Sequence, residues 1–418
     1  MDTLLREKHP MSTICPIECR KGAVEVLTKL REAGFDAYFA GGCVRDRLLS
    51  NPPTEYDIAT SAKPDDIKTV FPKAISVGES FGVMLVRKNE HMYDIATFRS
   101  DGPYSDHRHP DKIQFSDDKH DAMRRDFTIN GMFEDPIQET IIDYVGGQKD
   151  IEQHLIRAIG NPMERIGEDH LRMLRAVRFA ARFSFSIEAE TGDAIRELAP
   201  ELVGISRERI GEEVRKMMID SNRGVAAWEM QYLGLDRVLF AEQSCMNAPT
   251  RLGRLPASTS FATALAAWII DRHGSEANVQ EIASLWRSQL MLSNRVYEDL
   301  CKTLSLHQQL FMWDTLGTAK QKRIASTDHC VGALAIMQGE DRVGFVHIKR
   351  GIAHLEQTGL APEHLITGHD LLEAGVEPNS TLGDVLEAVY DAQLEGSVTS
   401  KEQALEFAMT IYKEFQNL

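Results

Sequence analysis

Residues 41–57, GGCVRDRLLSNPPTEYD, decide how this chain folds. The run before them, Asp36-Ala-Tyr-Phe-Ala, reads as a buried strand, and glycines just beyond a strand let phosphate oxygens approach backbone N–H groups at a helix start. Glu55 and Asp57 then follow at i, i+2. On a second strand that spacing turns both carboxylates to one face, where their oxygens suit Mg²⁺. Paired carboxylates holding two metals activate an attacking hydroxyl and stabilise a leaving pyrophosphate, so the stretch has the layout of a phosphoryl-transfer site. Each half also has a plainer reading: a Gly-Gly turn alone is a turn, and Glu-x-Asp alone is a solvated strand edge.

The chain's 418 residues suffice for two to four domains, and 26% charged residues describe an ordinary soluble protein. No stretch approaches the ~18 apolar residues that span a bilayer, and the start MDTLLREKHPMSTICP lacks an apolar signal core. A cytoplasmic protein with no membrane contact is the expectation. Cysteines at 15, 19, 43, 245, 301 and 330 show no C-x₂-C pairing and are expected to be free thiols, the first two in an N-terminal extension. A net charge of −16 argues against a long polyanion channel but leaves room for a compact basic patch. Ten arginines between Arg157 and Arg215 read either as such a patch, facing RNA, or as a salt-bridged helix face.

Residues 23–150 alternate short apolar strands (37–40, 75–77, 83–86, 92–97 and 141–145) with a few helices. From Asp150 onward nearly every segment is an amphipathic helix, expected over 165–183, 188–200, 206–219, 222–233, 261–273 and 276–290. The first puts Leu171, Leu174, Val177 and Ala181 on one stripe, and 242–256 reads as a linker or loop.

Three further constellations carry chemistry. In Met123-Arg-Arg-Asp-Phe-Thr-Ile-Asn130, guanidiniums suit a triphosphate and Asp126 suits ribose hydroxyls, although such a run is also common on surfaces. Asp143-Tyr-Val-Gly-Gly147 reads as a hinge or hairpin after a strand. In Glu168-Asp169-His-Leu-Arg172, helical rotation puts Glu168, Arg172 and Arg175 in one row, with Asp169 bracing Arg172 across i, i+3. There Asp169 would accept from an exocyclic amine while Arg172 donates beside it, a polarity that cytosine and adenine satisfy and uracil and guanine do not. The plain alternative is a surface salt bridge.

Taken in order, these segments closely resemble the class II tRNA nucleotidyltransferase and bacterial poly(A) polymerase family, a branch of the polymerase-beta-like nucleotidyltransferases. GGCVRDRLL with Glu55-Tyr-Asp57 is similar to its catalytic motif, RRDFTIN to its sugar-selecting motif and DYVGG to its head-to-neck hinge. EDHLRMLRAVRFAARF is similar to its base-templating motif, and Ile205-Ser-Arg-Glu-Arg-Ile-Gly-Glu-Glu-Val214 to the motif that buttresses the neck. The resemblance runs over residues 23–220 and resumes over 366–405; residues 240–360 carry no readable motif.

The resemblance implies an α+β protein: a small nucleotidyltransferase head with a mixed sheet, followed by an all-helical neck, body and tail. After an extension over 1–22, the head is expected over 23–150, the neck over 151–235, the body over 236–345 and the tail over 346–418. It implies transfer of nucleotides from CTP or ATP to the 3′ end of tRNA, held by its acceptor and T arms, with no nucleic-acid template. Glu55 and Asp57 would ligate two Mg²⁺ ions, and Gly41, Gly42, Arg45 and Arg124 would hold phosphates. Asp126 with Asn130 would read the ribose, and Asp169, Arg172 and Arg175 the base.

The family's first carboxylate is normally Asp, and Glu55 is one methylene longer, which moves the metal unless the strand compensates. Asp94, on a neighbouring strand, is either a third carboxylate or an ordinary strand-end residue. Within the family the alternatives are full CCA addition, CC-only addition, A-only addition and polyadenylation. An acidic tail region disfavours polyadenylation, and the polar segment Phe98–His120, of the kind the family associates with full addition, disfavours CC-only addition. A reading of another class is an RNA-binding homologue weakened by Glu55.

Overall fold

The computed structural model describes residues 16–416, except 79–81, 103, 105–111, 244, 276–277 and 379–380. The described residues form two units: those up to Met217 with Glu229–Cys245, and Met218–Trp228 with those from Met246 on. The first unit holds every candidate site residue.

That unit is built on a mixed seven-stranded sheet of β1 (Ala37–Ala40), β2 (Asp57–Thr60), β3 (Ile75–Gly78), β4 (Val83–Lys88), β5 (His91–Thr97), β8 (Phe133–Asp135) and β9 (Thr140–Ile142). A separate hairpin, β6 (Arg99–Asp101) with β7 (Ile113–Phe115), leaves between β5 and β8. The spatial order is β3-β4-β5-β2-β1-β8-β9, with β2 parallel to β5 and all other neighbours antiparallel. Helix α1 (Pro16–Glu32) packs on this sheet through Ala23, Val26, Leu27 and Leu30, at most 1% exposed and spaced three and four apart. Burying each large member stabilises the head by ~1.5–3 kcal/mol, and Leu27→Ala would open a cavity costing ~2–5 kcal/mol. Residues from Pro16 are therefore part of the head and not an extension. Cys19 is 4% exposed, and Tyr93 Oη donates to its carbonyl at 2.9 Å; Cys15 lies outside the described residues.

Helices α2 (Gly42–Leu48), α3 (Pro64–Val70), α4 (Asp118–Met123) and α5 (Gly147–Glu152) complete the head. The expected strand 141–145 stops at Ile142, because the Asp143 carboxylate accepts the N–H groups of Val145, Gly146, Gly147 and Gln148 and turns the chain into α5. The polar segment 98–120 is a hairpin base and a helix start, with 103 and 105–111 outside the described residues.

Helices then follow: α6 (Pro162–Glu168), α7 (Leu171–Phe183), α8 (Ala189–Leu198), α9 (Arg207–Met218), α10 (Arg223–Tyr232) and α11 (Leu235–Phe240), with a short parallel pair, Leu155–Ile156 and Ser186–Ile187. The expected stripe Leu171, Leu174, Val177 and Ala181 is buried on α7. The single helix expected over 165–183 is broken between Glu168 and Leu171.

The second unit is helical: α12 (Thr250–Arg254), α13 (Phe261–His273), α14 (Val279–Leu290), α15 (Asn294–Leu310), α16 (Thr318–Ala325), α17 (Asp328–Glu340), α18 (Arg342–Glu356), α19 (Gly368–Glu373), α20 (Thr381–Glu395) and α21 (Lys401–Gln416). Helix α12 lies inside the stretch expected as a loop. The four borders expected at 22/23, 150/151, 235/236 and 345/346 fall inside α1, α5, α11 and α18. Texture changes where burial changes, and burial does not respect helix ends; Ile348 of α18, for one, joins Leu310, Trp313 and Met337 in one core. Among the described residues, the cysteines at 19, 43, 245, 301 and 330 are free thiols, and no helix is long and apolar enough to cross a membrane.

Candidate active site

The strand register builds the catalytic corner. Ala40, the last residue of β1, pairs with Asp57, the first of β2, so the Gly41–Gly42 turn and the Glu55–Asp57 segment leave the sheet side by side. Glu55 lies just ahead of β2 and not on it. The alternation survives all the same: Glu55 and Asp57 are exposed, while Tyr56 is 7% exposed and tilts against Phe39 at 5.0 Å between ring centres. Both carboxylates therefore face one side. Cys43, at the start of α2, has its thiol pushed up to about 12 by burial, with the Asp57 charge adding to the effect. It is a packed, inert thiol.

Gly41 has to be glycine. Its φ is +69°, and a Cβ there would sit 2.9 Å from Arg125 Nη1. The register Ile58↔Ile95 sets Asp94 on the strand beside Asp57. Among the described residues, however, no three His, Cys, Asp or Glu side chains form a group able to hold a metal. A pair of exposed carboxylates is the donor set that suits Mg²⁺, a hard ion usually held by one or two carboxylates together with substrate phosphates.

The expected phosphate ligands divide. Arg45 is 5% exposed; its guanidinium donates to Asn130 Oδ1 and Asp46 Oδ1 and stacks over Phe179 and Phe183 at 5.2 and 4.6 Å. It fastens the head to α7 and is not open to a phosphate. Arg124 turns to Asp121 at 2.7 Å and Asp101 at 3.6 Å, toward the hairpin. Its neighbour Arg125 is the residue beside the glycine turn, donating to Asp121 at 2.9 Å and to the Asn130 carbonyl at 3.4 Å. The sequence offers both guanidiniums to a triphosphate, and the choice of Arg124 over Arg125 has no local basis, because nothing in the motif separates two adjacent arginines; the position of Gly41 does.

Asp126 and Asn130 are buried together. Burial pushes the Asp126 carboxyl up, but Arg175, the Asn130 amide and the Phe127 N–H outweigh it and hold the group down to about 2. Arg175 donates to Asp126 Oδ2 at 2.6 and 2.9 Å, so two residues expected to grip different parts of a nucleotide instead grip each other.

The base-templating segment is also rearranged. Asp169 has extended backbone (φ −146°, ψ 102°), and its Oδ1 accepts the Leu171 N–H at 3.1 Å, a local bond that competes with helix. The expected brace between Asp169 and Arg172 is therefore absent. Arg209 on α9 donates to Asp169 Oδ2 at 2.7 Å, and Arg172 donates to Glu168 Oε2 and the Arg165 carbonyl. Of the ten arginines from Arg157 to Arg215, all but Arg207 have a carboxylate within 4.0 Å among the described residues. The salt-bridged reading describes this face better than a bare basic patch.

A family model described as the poly A polymerase head domain matches residues 37–157, and one described as a probable RNA- and SrmB-binding site of polymerase A matches 184–246. The CCA-adding enzyme of Enterococcus faecalis is 34% identical over 409 residues, covering 92% of this chain and 94% of that one. That of Pediococcus pentosaceus is 36% identical over 374 residues, covering 86% and 90%. Among solved structures, the Bacillus stearothermophilus CCA-adding enzyme in complex with CTP superposes with a TM-score of 0.79 at 26% identity, covering 95% of this chain and 99% of that one. The Thermotoga maritima CCA-adding enzyme complexed with tRNA shares the fold at a TM-score of 0.68 and 20% identity, covering 98% of each. The chain belongs to the family of CCA-adding enzymes, within the class II tRNA nucleotidyltransferases and bacterial poly(A) polymerases.

Proposed function

We propose that this protein adds nucleotides from CTP and ATP to the 3′ end of tRNA without a nucleic-acid template, building or repairing the CCA terminus, and that it does so in the cytoplasm where that substrate resides. The observation that carries the reading is the pairing of Ala40 with Asp57, which brings a glycine turn, two carboxylates and Arg125 to one corner. Head, neck, body and tail serve that corner in turn, the head holding the reacting groups and the helical remainder holding tRNA.

Glu55 and Asp57 would hold two Mg²⁺ ions, which supply activation of the tRNA hydroxyl and charge stabilisation of the departing pyrophosphate. The Gly41 N–H donates to the Met132 carbonyl at 3.1 Å, so the donors the turn can offer to phosphate oxygens are those of the first turn of α2 from Gly42 on, and Arg125 adds a guanidinium beside them. Asp126, kept ionised by Arg175, would accept from a ribose hydroxyl in exchange for one of the four bonds it now receives from Phe127, Asn130 and Arg175. Asp169 and Arg172 select the base by polarity: the carboxylate accepts from the exocyclic amine of C or A, and the guanidinium donates beside it. Complete CCA addition is favoured over CC-only addition by the polar segment 98–120, of the kind associated with full addition. The test is product length. Given tRNAs ending before CCA, after C and after CC, with CTP or ATP alone, the protein should extend the first two with CTP and the third with ATP. No extension of any primer would leave an RNA-binding homologue as the reading.

A further inference from the structure

The carboxylate of Asp169 is held from outside its own motif. Arg209, forty residues further along on α9, donates to Oδ2 at 2.7 Å, while the Leu171 N–H donates to Oδ1. The two side chains are 16% and 23% exposed, so the pair is largely out of water yet reachable from the site. An ionised carboxylate offers about four lone-pair directions, and these two bonds leave one on each oxygen.

We propose that Arg209 is a positioning residue for nucleotide choice, an inference that rests on Asp169 being the base-selecting carboxylate. Acceptance of C or A needs only an acceptor near the exocyclic amine. Rejection of U or G needs more: the carboxylate has to stay where it opposes their carbonyl oxygen, a repulsive element that fails once the group can turn away. The terminal torsion of Asp is soft and roughly twofold, so a single bond to Leu171 leaves it free to swing. The guanidinium of Arg209, donating to Oδ2, removes that freedom. Arg172 does not hold this carboxylate here; its Nη1 donates to Glu168 and the Arg165 carbonyl instead.

The experiment compares kcat/KM for CTP, UTP, ATP and GTP on one tRNA primer series in wild type, Arg209→Ala, Arg209→Lys and Asp169→Ala, with thermal unfolding of each. Arg209→Ala should lower the CTP/UTP and ATP/GTP ratios about tenfold, mainly because the wrong nucleotides gain relative to the right ones. Arg209→Lys keeps the charge without the planar fork and should lie between, near threefold. If Arg209→Ala slows all four nucleotides by one common factor while Asp169→Ala still changes the ratios, the positioning role is overturned and Arg209 is a structural tie. Unchanged ratios in Asp169→Ala as well would instead overturn the base-selecting reading beneath it. Should Arg209→Ala fail to fold, Arg209→Lys decides, and wild-type ratios there overturn the proposal.

Discussion

Arg175→Ala removes the main partner of a buried carboxylate, and the structure sets the size of the loss. The Asp126 carboxyl is held at about 2 against an ordinary 3.8, although burial alone pushes it upward. At about 1.4 kcal/mol per tenfold, that difference corresponds to roughly 2 kcal/mol of folding stability at pH 7. Breaking a fully buried pair costs ~3–5 kcal/mol, but Arg175 is 32% exposed and its charge is partly screened, so ~2 kcal/mol is the expected loss. A carboxyl depressed in the folded state contributes its stability above the unfolded value and loses it as pH falls through the folded one. The wild-type advantage over Arg175→Ala should therefore be full at pH 5 to 7 and shrink from pH 4 toward pH 2. The assay has to see the first unit. Trp228, Trp268, Trp286 and Trp313 all lie in the second, so tryptophan fluorescence does not report directly on Asp126. Amide exchange at Phe127–Asn130, read against urea, reports it directly. A stability difference that is the same at pH 6 and pH 3 would refute the reasoning.

Asp57→Ala should abolish nucleotide transfer with no change in unfolding midpoint, since an exposed ligand is lost and no cavity opens; near-normal turnover would remove Asp57 from the site. Glu55→Ala should be nearly as severe and Glu55→Asp tolerated or faster, checked by single-turnover rates in Mg²⁺. Gly41→Ala combines a strained φ of +69° with a Cβ pressed on Arg125 and should raise the nucleotide KM at least tenfold, a value of ~1.4 kcal/mol. Ten bare arginines would give tRNA affinity a log–log salt slope of ~7–9, at ~0.7–0.9 per phosphate contact. With nine of them already paired, titration with KCl should give a slope of only a few, and a slope near ten would contradict the paired face.

Residues that owe their environment to neighbours in sequence were legible. The strands at 37–40, 83–86 and 92–97 and the helices at 188–200, 206–219, 222–233 and 261–273 stand within a few residues of their expected places, because periodic burial is written locally. The alternation around Tyr56 was readable too, although Glu55 sits ahead of its strand. What escaped was pairing across distance. Helical spacing predicted Asp169 with Arg172, but one short Asp side chain capping Leu171 broke the helix and freed both for other partners. Arg45 read as a phosphate ligand because its position in the motif says nothing about Phe179 and Phe183, more than a hundred residues away, closing over it.

The same cross-pairs explain why these motifs recur in one order on one chain. Arg45 joins α2 to α7 and reaches Asn130; Arg175 joins α7 to Asp126; Arg165 donates to the carbonyls of Met123 and Arg124. Each fastener is a residue that, read alone, looks like a ligand. A polar group buried in such a network is costly to leave half-paired, at ~1–3 kcal/mol, so substituting a fastener displaces the catalytic corner as well as destabilising the fold. Loss of activity in Arg45→Ala or Arg175→Ala therefore does not identify a nucleotide contact. Glu55 and Asp57 differ from the fasteners in being exposed, and for them activity should fall while stability holds. Measured together, the two quantities separate residues that meet the substrate from residues that hold those in place.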